Sequence, residues 1–187
     1  MEKRLGRIAA AAALVAALSL LYVHIGASAS ARAQAVVYAD PVGDAGDAPD
    51  IAAISILPEP GGLVVDVELA APTELGPYGW ILVGLDTDRN RSTGAPRGNE
   101  FLVLANGDRV VLTRWDGHHL VAFPHRPLRA VETPTDLSFT LSTADIGSRS
   151  FDFSAASLRQ DADLAPDDGV FTYVPGIRVH SSRHLRQ

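Results

Sequence analysis

Apolar and polar residues alternate most clearly over Leu63-Val64-Val65-Asp66-Val67-Glu68-Leu69. Leu63, Val65, Val67 and Leu69 fall on one side, Asp66 and Glu68 on the other, which is the period of a strand with one buried face. Shorter apolar runs recur after residue 34: Ala35–Tyr38, Ile51–Leu57, Trp80–Leu85, Phe101–Leu104, Arg109–Trp115, His118–Phe123, Leu137–Leu141, Phe151–Ala155 and Val170–Val174. Turn residues separate them. Pro58-Glu59-Pro60-Gly61-Gly62 breaks the chain between two runs. Asn106-Gly107 and Asp116-Gly117 are residue pairs that tolerate the positive φ of two-residue hairpins. No interior segment keeps a helical period for three turns, and Thr143–Gly147 is expected to form a single turn. About ten short strands with turns between them point to one all-β domain over residues 34–176, a sandwich or barrel.

The start of the chain follows a different pattern. Lys3, Arg4 and Arg7 precede an apolar run from Ile8 to about Ala27, and small residues cluster from Ala27 to Ala33. Positive, apolar, then A-x-A is the order of a secretory signal peptide, with cleavage expected after Ala31-Arg32-Ala33 or Ala27-Ser28-Ala29. At roughly 20 residues the run is also long enough to span a bilayer, so an uncleaved membrane anchor over residues 8–27 is the rival. Both readings put the rest of the chain outside the cytoplasm, extracellular or at the cell surface. Residues 34–187 carry 12 basic and 21 acidic side chains, a net charge of −9. That balance excludes nucleic acid as a partner and suits cations. Residues 177–187, with Arg178, His180, Arg183, His184 and Arg186, read as a solvated basic tail. The chain has no cysteine, which excludes disulfides, thiol chemistry and cysteine zinc sites.

Chemistry concentrates in the acidic loops. Asp86, Asp88 and Asn90 stand at alternate positions just after an apolar run, and Glu100 stands at the start of the next. Alternate oxygen-bearing side chains in a loop turn toward one centre, and calcium takes six to eight oxygen ligands. The spacing resembles the start of an EF-hand loop and then departs from it. Arg91 occupies the place of the required Gly, and Arg97 that of the bidentate Glu. A calcium site between two strands is what remains. The opposing readings are an Asx-rich turn that satisfies its own amides, or neutralisation by Arg89, Arg91 and Arg97. Asp40–Asp50 is a second acidic loop, whose Asp44 and Asp50 are further metal candidates. Asp161, Asp163, Asp167 and Asp168 form a third, read like the second mainly as solvated surface.

No nucleophile elbow, metalloprotease helix motif or phosphate-cradling glycine loop is present, and no carboxylate pair stands out. The chain is therefore expected not to be an enzyme. His118 and His119, read as strand neighbours, would point to opposite faces, and His125 is isolated, so all three read as surface histidines. Trp115, at a hairpin end beside Arg114, Asp116 and His118, is the best candidate for stacking on a sugar. Trp80 is the second, and is expected to cap the core instead.

Three pieces occur in order. They are Asp40-Pro41-Val42-Gly43-Asp44 leading to Asp50-Ile51; Asp86-Thr87-Asp88 through Gly94 with Gly98-Asn99-Glu100-Phe101; and Asp163–Gly169 with Tyr173. Together they resemble the DOMON-like and family 9 carbohydrate-binding-module-like domains of secreted bacterial proteins. The resemblance implies an immunoglobulin-sized, jelly-roll-like antiparallel β-sandwich with calcium-binding loops and, in some members, sugar binding. A paired-Trp sugar clamp does not carry over to Trp80 and Trp115. The expected protein is an exported, non-catalytic binding module with a structural calcium, directed at polysaccharide or a cell-surface component. Its alternatives are a membrane-anchored interaction domain and a small hydrolase using loop carboxylates.

Overall fold

The computed structural model describes residues 34–107, 109–123 and 128–176. The signal or anchor expected over residues 1–33, the basic tail and His125 lie outside the described residues. Among the described residues, no helix is long and apolar enough to cross a membrane.

Two antiparallel sheets pack together, as in a β-sandwich. The first runs β1 (Val36–Ala39), β2 (Ile51–Glu59), β3 (Gly62–Leu69), β9 (Asp136–Ser142), β8 (Ala130–Glu132). The second runs β11 (Ala162–Ala165), β10 (Phe151–Leu158), β4 (Trp80–Asp86), β5 (Phe101–Asn106), β6 (Arg109–Trp115), β7 (Leu120–Ala122). A last strand, β12 (Phe171–Tyr173), also pairs with β10. One helical turn, α1 (Thr143–Ile146), follows β9 and stops at Gly147, whose φ of 68° suits a residue without Cβ.

Alternation decides which side chains meet between the sheets. Leu63, Val65, Val67 and Leu69 of β3 point inward, as their spacing requires, with Leu137, Phe139 and Leu141 of β9 beside them. The second sheet contributes Ile81, Val83, Leu85, Phe101, Val103, Phe151 and Phe153. These residues form one continuous cluster. Each such side chain, fully buried, contributes about 1.5–3 kcal/mol. An aromatic group closes one edge, where Phe153 meets Tyr38 edge-on at 4.9 Å and Phe171 at 5.4 Å.

Some elements differ from expectation. In β2 the register slips between Ile51 and Ala53. This bulge turns Ile51 inward together with Ile54 and Ile56, which strict alternation forbids. Short β8 was not anticipated. Nor was β11, which occupies the third acidic loop: Asp163 there is 3% exposed, not solvated. The second hairpin is not a two-residue turn, because Trp115 pairs with Leu120. His118 and His119 sit in the turn itself, and both backbone N–H groups donate to Asp116 Oδ1, at 2.8 and 2.7 Å. Trp80 does not cap the core. Ile81, Val83 and Leu85 take the inward side of β4, so Trp80 faces out at 39% exposure, paired with Leu158.

Candidate metal centre

The end of β4 and the start of β5 bring two carboxylates side by side. Leu85 pairs with Phe101, and the Glu100 N–H donates to Leu85 O at 3.0 Å. Leu85 and Phe101 face the core, so Asp86 and Glu100 emerge on the outer side of the sheet. The connecting loop folds back over them. Thr93 N–H donates to Asn90 O at 2.9 Å, and Ala95 and Asn99 form an isolated bridge. Asp88 is thereby returned to the strand ends. Asp86, Asp88 and Glu100 each offer an oxygen, and these oxygens all lie within 4.8 Å of one another.

The hydrogen bonds around the trio are too few for its oxygens. Asp86 is 2% exposed. Its Oδ1 accepts the Asn90 N–H at 3.0 Å, while its buried Oδ2 has no partner. Gly98 presses against that free oxygen: a Cβ there would lie 2.9 Å from Asp86 Oδ2 and 2.7 Å from Arg91 Cα. Glu100 Oε2 accepts from the Thr87 N–H at 2.7 Å. The Thr93 hydroxyl oxygen lies 3.1 and 2.9 Å from the two Asp88 oxygens, 3.3 Å from Glu100 Oε1 and 2.7 Å from Asn90 O. A hydroxyl has one proton, so it serves one of these four oxygens at a time. One oxygen from each carboxylate of the trio lies within 4.8 Å of the other two, close enough for one cation to bridge them.

Electrostatics agree. Burial pushes the Asp86 carboxyl above the usual range, against the Asn90 N–H that lowers it, and Asp88 and Glu100 add to the rise. Asp88, at the solvent side, is held below the usual range, chiefly by the Thr93 hydroxyl. Arginine does not neutralise the trio. Arg89 turns away, donating to Tyr173 O at 3.2 Å and standing 3.7 Å from Asp152. Among the described residues no ion pair joins Arg91 or Arg97 to these carboxylates. The Asx-turn reading holds in part. Asp88 accepts the Asn90 N–H at 2.8 Å, and Asn90 Oδ1 accepts the Ser92 N–H at 3.1 Å. Those bonds shape the loop and leave Asp86 Oδ2 free. Three carboxylates, one of them with a buried unpartnered oxygen, and a hydroxyl fit a hard divalent cation.

The other expected site residues lie elsewhere. Asp44 and Asp50 stand with Asp40 and Asp163, not with Asp86. Trp115 lies on the same rung as Glu100, its N–H donating to Glu100 O at 2.8 Å, and shares the outer face by alternation. Trp80 is level with Asn106 and Arg109 by register, six residues along β6 from Trp115. That is about 20 Å along the strand, too far for the two rings to hold one sugar. Thr93 was missed by sequence reasoning, which took the alternate positions Asp86, Asp88 and Asn90 together with Glu100. Comparison with protein-family models, with curated proteins and with solved structures gives no match.

Proposed function

We propose that this chain is an exported, non-catalytic β-sandwich binding module whose 86–100 loop is pinned by a structural calcium. The observation that carries the reading is Asp86, a carboxylate 2% exposed with a free Oδ2, beside Asp88 and Glu100 and without an arginine partner. A buried charge without a counter-charge is costly, and a divalent cation supplies one. The all-oxygen donors suit hard cations, and among these calcium is preferred because it accepts the irregular geometry of a loop where magnesium demands a near-ideal octahedron. Extracellular modules hold calcium with dissociation constants of about 10⁻⁴–10⁻³ M. Export rests on the Lys3–Ala33 pattern. The ligand class proposed is carbohydrate, supported by Trp115 beside the pinned loop and by the family resemblance, with one ring rather than a clamp as the stacking platform.

Thermal melts test the metal. Adding calcium raises the melting temperature, because a ligand bound only by the folded state stabilises it, and chelator reverses the rise. The rise is smaller in the double variant Asp86→Asn/Asp88→Asn. No rise in the unaltered protein, or an equal rise in the variant, overturns the reading. Retention on a panel of insoluble polysaccharides, lost in Trp115→Ala, tests the sugar. No retention on any of them counts against it.

A further inference from the structure

A second group of carboxylates collects at the edge where β1 and β2 meet β11. Asp40 follows β1 directly, and its N–H donates to Ala52 O at 3.0 Å. Its side chain is 8% exposed, and neither carboxylate oxygen has a hydrogen-bond partner. Asp50, just before β2, accepts the Gly43 N–H on Oδ2 at 2.8 Å, while its buried Oδ1 has none. Asp163 comes from the other sheet. It faces inward on β11 and accepts the Ile51 N–H at 2.7 Å. That N–H lies beside the β2 bulge, where the register shifts between Ile51 and Ala53.

The surroundings of Asp40 are uniformly negative. Its carboxyl is pushed up to about 7, first by burial, then by Asp163, Asp167, Asp44 and Asp50 in that order. Asp163 is raised by burial and by Asp44 and Asp50, against the Ile51 N–H. Among the described residues no lysine or arginine pairs with this group. Three buried oxygens without partners cost several kcal/mol together if they stay unsatisfied. A solvated surface cluster has no such oxygens, because water reaches them.

We propose that Asp40, Asp50 and Asp163, with Asp44 and Asp167 at the mouth, form a second divalent-cation site, separate from Asp86, that ties the 40–50 loop to β11 across the two sheets. Its chemistry is that of calcium: hard carboxylate oxygens, a glycine-containing loop on one side, and water in the remaining positions. The carboxylates here are more widely spread than the Asp86 trio, so water would complete the coordination between them. Other contacts already hold it over the edge. Asp47 N–H donates to Asp161 Oδ2 at 3.0 Å, and the Ser157 hydroxyl donates to Pro49 O.

Calorimetric titration of the chelator-stripped full chain with calcium tests the proposal. Two sites are expected in the unaltered protein, one in Asp86→Asn/Asp88→Asn and one in Asp40→Asn/Asp163→Asn. The milder variant Asp44→Ala/Asp167→Ala changes only exposed side chains, and weakens the second site at least tenfold without disturbing the fold. It keeps the test decisive if the buried variant does not fold. A single site that survives Asp86→Asn/Asp88→Asn and vanishes in Asp40→Asn/Asp163→Asn upholds this proposal while removing the first. A single site lost in Asp86→Asn/Asp88→Asn, or titrations unchanged by both the Asp40/Asp163 and Asp44/Asp167 substitutions, overturns it.

Discussion

Gly98 carries the most local test of how the candidate metal loop is built. It sits at φ 86°, a conformation that L side chains rarely adopt. A Cβ added there would stand 2.7 Å from Arg91 Cα and 2.9 Å from Asp86 Oδ2. The carboxylate can swing aside, but Arg91 Cα is backbone and moves only if the loop moves. Gly61 separates the two effects. It has φ 82° between β2 and β3, and a Cβ there meets nothing within 4 Å. Gly61→Ala therefore costs only the left-handed backbone penalty, about 1–2 kcal/mol. Gly98→Ala costs the same penalty plus overpacking of about 1–3 kcal/mol, for a total of about 2–5 kcal/mol. Urea unfolding of both variants in excess calcium measures the costs. Calcium titration of Gly98→Ala should show weaker binding, because the substitution displaces the unpartnered Asp86 oxygen that the proposed site would use. Equal destabilisation by the two substitutions, with calcium affinity unchanged in Gly98→Ala, would refute the close packing of Gly98 on the Asp86 carboxylate.

Phe153→Ala removes a ring 1% exposed at the aromatic edge of the core; urea unfolding should show a loss of about 3–5 kcal/mol, and a loss under about 1 kcal/mol would mean the edge is not packed as described. Asp66 lies on the outer side of β3, its carboxyl raised above 3.8 by burial and then by Asp136 and Glu68. A raised acid binds its proton more tightly when folded, so its contribution is present below pH 3.8 and lost as pH rises through the raised value. Asp66→Asn should therefore gain stability relative to the unaltered protein as pH climbs from about 4, read from urea midpoints across pH 3.5–7; a difference that does not change with pH would count against this.

How much of this was legible depended on whether a signal was local. The alternation of β3 names its inward residues outright. In Trp80–Leu85 every position but Gly84 is apolar, so a period of two chooses no face. Only the pairing with β5 and β10 turns Trp80 outward. The bulge at Ala52 leaves no trace in composition. β11 was hidden because its acidic residues read as loop, whereas Asp163 points inward to accept a backbone N–H from the opposite sheet. The Asp86–Glu100 group was readable because a hairpin brings nearby positions together. The meeting of Asp40 and Asp50 with Asp163 was not, because nothing in either segment announces the other.

The two carboxylate groups therefore act on different scales of the fold. Glu100 and Thr87, bonded across the first site, are 13 residues apart, whereas Ile51 and Asp163, bonded across the second, are 112 apart. Loop-closure entropy grows with the logarithm of separation, so bringing the second pair together costs about 2 kcal/mol more than the first. The first site opens when one loop lifts from the ends of β4 and β5, with the core untouched. The second joins the 40–50 loop and β2 of one sheet to β11 of the other through the Asp47–Asp161 and Ile51–Asp163 bonds, so its opening would part that edge. A cation at Asp86 thus restrains a local fluctuation and shapes the rim beside Trp115. A cation at Asp40 would resist separation of the sheets themselves. In a chain without cysteine, a cation there would link two segments distant in sequence, as a disulfide does elsewhere.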